Sequence, residues 1–214
     1  MSVDLARVID RTLLGFSKAE RQLEKLSGGW GLWWAPEYFA TVAIAKQVHK
    51  LGCDVTVEQS IAEALERAGR RKKPPPDLPK AGRFDLAVWR ESGEKVKGII
   101  EVKMTTYMTY GTVEGDVERV CTALDRAKKL EWGLVAYHNT AWNGVGKPAS
   151  KRIETRADSI EARSRKYVED SRAGLCCSRH VGEMTVDDDR ASRAEVLAIA
   201  RAGEFALGRP SALR

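Results

Sequence analysis

The chain has 214 residues, 43% hydrophobic and 31% charged, a composition that excludes a largely disordered protein and favours one mixed domain with appendages over two full domains. Its 36 Lys and Arg against 30 Asp and Glu give a formal net charge of +6, which favours polyanionic partners without choosing among nucleic acid, acidic protein and membrane headgroups. No apolar stretch approaches the roughly 18 residues of a membrane span and the N-terminus does not read as a signal segment, so the expectation is a cytoplasmic protein with no membrane partner.

Leu5, Val8, Ile9, Leu13 and Phe16 recur at helical spacing, and Ser17 with Glu20 reads as a capping box for a second short helix ending before Gly28. After a tryptophan-rich segment, Pro36 stands like a first-turn proline ahead of a helix whose stripe is Tyr38, Val42, Ala45 and Val48. Val55 to Glu58 reads as a strand, and Ser60 with Glu63 caps a short helix that ends at Gly69. A basic loop follows, with Arg70, Arg71, Lys72 and Lys73 ahead of three prolines. Phe84 to Trp89 and Gly98 to Met104 then read as strands joined by the turn chemistry near Ser92-Gly93, an antiparallel hairpin. Val113, Val117, Val120, Leu124 and Ala127 mark a helix, and Gly133 to Tyr137 a buried strand. Past a polar loop, Ile153, Ala157, Ile160 and Tyr167 imply a long charged helix, and a final helix is expected over 191–202. Cys53, Cys121, Cys176 and Cys177 form no CxxC pair and read as reduced thiols.

Because side chains alternate along a strand, Glu101 and Lys103 share one face while Ile100, Val102 and Met104 share the other. By the same alternation Asp85 shares a face with Ala87, opposite Phe84, Leu86 and Val88, and strand pairing brings it beside Glu101. Two carboxylates held close on an apolar sheet are costly unless a cation neutralises them. Magnesium suits the set, because it takes one or two carboxylates plus the backbone oxygen of Val102 and leaves positions for water and phosphate oxygen; manganese is the natural substitute. Lys103 would orient a nucleophile and neutralise developing charge, so the expected chemistry is metal-assisted phosphodiester hydrolysis.

Asp85 followed after a gap by Glu101-Val102-Lys103 resembles the signature of the PD-(D/E)xK nucleases, the restriction-endonuclease-like superfamily. The order helix, three-strand meander, helix, strand is similar too, over roughly Pro36 to His138; Phe84 stands where the family's proline usually does. The resemblance implies an α/β fold, a mixed central sheet flanked by helices, with an N-terminal helical segment (1–29), a nuclease core (30–140) and a C-terminal helical extension (141–214). It implies hydrolysis of DNA, or less often RNA, with Asp85 and Glu101 as magnesium ligands and Lys103 as the catalytic lysine. Glu37 matches the acidic residue that many members carry on the first helix of the core. Endonuclease action is expected because no ring-forming or helicase appendage is recognisable, and a homodimer is one assembly that would place two centres across a DNA dyad. The alternatives are an RNA-directed nuclease and a non-catalytic nucleic-acid-binding or protein-interaction module on the same fold.

Each residue also has a plainer role. Glu101 and Lys103 describe a cross-strand ion pair on a half-exposed strand. Glu37 suits a helix N-terminus electrostatically. Glu58 is an exposed strand carboxylate unless it turns into the cleft. Arg70, Arg71, Lys72, Lys73 and Arg83 are candidate phosphate contacts or a solvated loop. Trp30, Trp33 and Trp34 read as core or interface before base stacking, Asp116 with Arg119 as a local helix pair, and His49, His138 and His180 lack ligand spacing.

Overall fold

The computed structural model describes residues 4–29, 31–69, 82–90, 93–105, 110–171 and 174–201. Five α-helices and six strands are described: α1 (Leu5–Ser27), α2 (Glu37–His49), β1 (Val55–Ser60), α3 (Ile61–Arg67), β2 (Arg83–Trp89), β3 (Val96–Thr105), α4 (Tyr110–Arg126), β4 (Trp132–Trp142), α5 (Ala149–Asp170), β5 (Leu175–Val186) and β6 (Arg190–Arg201). The strands form one sheet in the order β1-β2-β3-β4-β6-β5, with β3 and β4 parallel and the other neighbouring pairs antiparallel. A parallel pair needs a crossover, and α4 supplies it.

Strand alternation sorts the core into two layers. Leu86, Val88, Ile100, Val102, Leu134, Ala136, Val196 and Ala198 pack against α1 and α2. Ala87, Ile99, Val135, Tyr137, Leu197 and Ile199 pack against α3, α4 and α5. The sheet is therefore covered on both sides, and β4, at its centre, is buried along almost its whole length. A strand of that kind reads as a continuous apolar run, which is why Gly133 to Tyr137 announced only part of it.

Several expectations need correction. The N-terminal segment is one helix, with Asp4 capping through a bond from the Ala6 N–H; Ser17 and Glu20 lie inside it and start nothing. On α2 the buried positions are Ala40, Thr41, Ile44, Gln47 and Val48, and Tyr38 is exposed. The expected helix over 191–202 is wrong: Arg190–Arg201 is a strand, paired with β4 along its length and with β5 beyond. Segment 141–214 is thus not a helical extension; after α5 its described part is a hairpin that enlarges the core sheet. The run Ala191-Ser-Arg-Ala-Glu-Val-Leu-Ala-Ile-Ala has high helix propensity, and tertiary burial on both faces overrides it. Other expectations hold, among them α3 capped by Ser60 onto the Glu63 N–H, the β2–β3 hairpin, and the apolar stripe of α4.

Candidate active site

The site forms where β2 and β3 end their mutual pairing. The β2–β3 register runs from Trp89↔Val96 to Leu86↔Ile100, and one residue further on Asp85 Oδ2 accepts the Val102 N–H at 2.7 Å. A side-chain carboxylate therefore holds the strands together at the point where the backbone ladder stops. Strict alternation fails there. Phe84 packs with Ala87 on the α3–α4 side, whereas Leu86 packs on the α1–α2 side, so the expectation that Phe84 shares a face with Leu86 is wrong. The neighbouring strand is irregular at the facing position, since Glu58 adopts φ +56 between the pairs Val57↔Leu86 and Gln59↔Phe84. Such a conformation in a non-glycine residue costs about 1–3 kcal/mol.

On β3 alternation holds: Ile100, Val102 and Met104 pack toward α1 and α2, and Ile99 toward α4. Glu101 and Lys103 accordingly meet residues of α4. Arg119 Nη1 lies 3.2 Å from Glu101 Oε1, its Nη2 donates to Asp116 Oδ1 at 2.7 Å, and Lys103 Nζ lies 3.5 Å from Asp116 Oδ2. From α2, Glu37 accepts the Met104 N–H at 3.0 Å and sits 3.5 Å from Lys103 Nζ. Four carboxylates (Glu37, Asp85, Glu101, Asp116) and two cations (Lys103, Arg119) thus converge from β2, β3, α2 and α4, a formal charge of −2 with every group ionised.

Burial sets the electrostatics. The Glu101 side chain is only 2% exposed, and this burial pushes its pKa well above the usual carboxylate range; Arg119 pulls it back, while Asp85 and Asp116 push it further up. Asp116, 6% exposed, is raised for the same reason against the pull of Lys103 and Arg119. Glu37 is raised by burial more than the Met104 N–H and Lys103 lower it. For Lys103, burial lowers the pKa but Asp116, Glu37 and Asp85 outweigh it, so the ammonium is held charged. Glu101 Oε1 and Asp116 Oδ2 are buried and, despite their ion-pair contacts, make no hydrogen bond.

Those two oxygens and the excess of negative charge fit a divalent cation, because unbonded buried carboxylate oxygens are what a hard cation coordinates. Glu37 fits less well, because one of its oxygens accepts a backbone N–H and the other faces Lys103. As arranged, no three acidic, histidine or cysteine side chains among the described residues have the spacing of a complete metal site. A site here is therefore of the sparse kind, with few protein ligands and the rest supplied by solvent or substrate.

Of the other candidates, Arg83 is exposed and lies 3.9 Å from Glu58, which turns to it rather than into the cleft. Arg70, Arg71, Lys72, Lys73 and Trp30 lie outside the described residues. Trp33 is structural, packed edge-on to Trp142 and beneath the Arg190 guanidinium. His138 lies within β4, buried at the base of a cleft of about 200 Å³ against α1, with Glu20 Oε2 2.7 Å from its Nε2. The cysteines among these residues are free. Asp116 and Arg119 form the local pair their spacing suggested, but Arg119 also reaches Glu101, which only knowledge of how α4 packs on β3 supplies. No protein-family model, curated protein or solved structure matches the chain.

Proposed function

We propose that this protein is a metal-dependent nuclease of the PD-(D/E)xK type that hydrolyses phosphodiester bonds in DNA, with a restriction-endonuclease-like core around β1 to β4. The observation that carries the reading is the meeting of Asp85 with Glu101 and Lys103 at the edge of a broken strand ladder, where buried carboxylate oxygens have no hydrogen-bond donor. Asp85, Glu101 and the backbone carbonyl of Val102 would hold magnesium or manganese, which when bound polarises the phosphoryl group and lowers the pKa of a water.

The chain's own residues supply the rest. Lys103 is charged and restrained between Glu37 and Asp116, so its ammonium is positioned to neutralise charge developing on a phosphate oxygen. Glu37 orients that lysine and ties α2 to β3 through the Met104 N–H, a positioning role rather than a ligand role. Asp116 acts similarly from α4. Arg83 and the basic residues Arg70, Arg71, Lys72 and Lys73 would add phosphate contacts along the substrate, and the net charge of +6 favours such a polyanion.

The test is magnesium-dependent cleavage of circular DNA, duplex and single-stranded, by wild type and Lys103→Ala. The reading predicts nicked or linear products from wild type and none from a variant that remains folded and still binds DNA. Uncut circles with degraded linear DNA would make the enzyme an exonuclease. The second reading, a non-catalytic nucleic-acid-binding module, is favoured by Arg119, whose guanidinium already neutralises Glu101. It predicts binding with no cleavage under any divalent cation.

A further inference from the structure

Among the described residues, the exposed large aromatic side chains are Trp34 and Tyr38, at 66% and 55% exposure, and they flank Glu37, the residue that holds Lys103. Three residues span at most about 11 Å of extended chain, so Trp34 lies within that distance of Glu37, and Tyr38 is its immediate neighbour. The turn that carries Trp34 is well anchored. Leu32 is fully buried, Trp33 is locked between Trp142 and Arg190, and the Trp34 and Ala35 N–H groups close the turn onto Gly31 and Leu32 carbonyls. A rigid scaffold thus presents two aromatic rings to solvent beside the proposed reaction centre of a positively charged protein. Aromatic rings in that setting stack on bases, and only bases outside a duplex expose a face to stack.

We propose that Trp34 and Tyr38 form a stacking platform for unpaired bases, so that the strand reaching Lys103 is single-stranded or locally unwound nucleic acid. The inference deepens the nuclease reading and rests on it for the position of the centre. It separates Trp34 from Trp33, which sequence alone treats alike.

The experiment measures binding in chelator, where cleavage is suppressed, of a short labelled oligothymidylate and of a duplex of equal length. Wild type is compared with Trp34→Ala, Tyr38→Ala and Trp34→Phe; both side chains are exposed, so folding should survive, and circular dichroism checks it. Each alanine variant is expected to bind the oligothymidylate more weakly, on the order of 5- to 150-fold per lost stack, with duplex binding unchanged and Trp34→Phe largely restored. Equal affinity of variants and wild type for the oligothymidylate would overturn the proposal, as would parallel losses on both probes. Absence of any nucleic-acid binding by wild type would also overturn it and assign the rings to a protein partner. Aromatic-dependent binding without magnesium-dependent cleavage would keep the platform and remove the nuclease reading.

Discussion

Replacing Glu101 with Gln should stabilise the metal-free protein while abolishing activity. The carboxylate is 2% exposed, and burial, aided by Asp85 and Asp116, holds its pKa well above the ordinary value. A group raised on folding contributes stability that is fully present below its unfolded pKa and is lost as pH rises through the folded value. Near neutral pH wild type has lost that contribution, and Gln, of nearly the same shape, cannot lose it. The opposing effect is the broken pair with Arg119. Removing one partner of a buried pair costs about 3–5 kcal/mol when the other is left unpaired. Here Arg119 keeps Asp116 at 2.7 Å and is partly exposed, so this cost is largely absent. The net expectation is a gain of about 1–2 kcal/mol in chelator at neutral pH, or roughly 2–4 °C in Tm per kcal/mol for a chain of this size. Thermal unfolding in chelator across pH is the assay. The gap should close below the ordinary carboxylate range, where Glu101 is protonated in both states. With magnesium at 100-fold above its Kd, wild type alone should gain about 2.7 kcal/mol and the order should reverse. A variant less stable than wild type in chelator at neutral pH, or a gap indifferent to pH, would refute the reasoning.

Two further perturbations separate structure from chemistry. Asp85→Ala removes the acceptor of the Val102 N–H and should cost about 1–3 kcal/mol in urea unfolding, whereas Asp85→Asn keeps an acceptor oxygen and most of the stability; both should lose cleavage. Gly15 brings α1 against α2 so closely that an added Cβ would lie 2.6 Å from the Ile44 Cα, so Gly15→Ala should lower the urea midpoint by about 1–3 kcal/mol. In Gly115→Ala, by contrast, the Cβ meets nothing within 4 Å in the middle of α4, and stability should rise by about 0.5–1 kcal/mol.

Much of the architecture up to β4 was legible because each element carries its own period. The α4 stripe, the Ser60 cap and the alternation on β3 are local signals that packing reinforces. The C-terminal hairpin was not legible, because β6 is buried on both faces and rich in alanine, so neither a period of two nor β-branched residues marks it. Within the site, Glu101 and Lys103 followed from alternation alone. Asp85 reached the right place for a reason alternation does not contain, since its strand twists out of phase at that residue and its carboxylate replaces a ladder bond. Arg119 and Asp116 enter only through helix packing, and Glu37 faces Lys103 and a backbone N–H, not a shared cation position.

The central claim is that Asp85 and Glu101 together hold a divalent cation, and calorimetric titration of the chelator-treated protein with manganese tests it most directly. The account predicts saturable binding by wild type that disappears in Asp85→Asn while the variant stays folded. Heat indistinguishable from dilution in folded wild type, or undiminished binding in the variant, would contradict it.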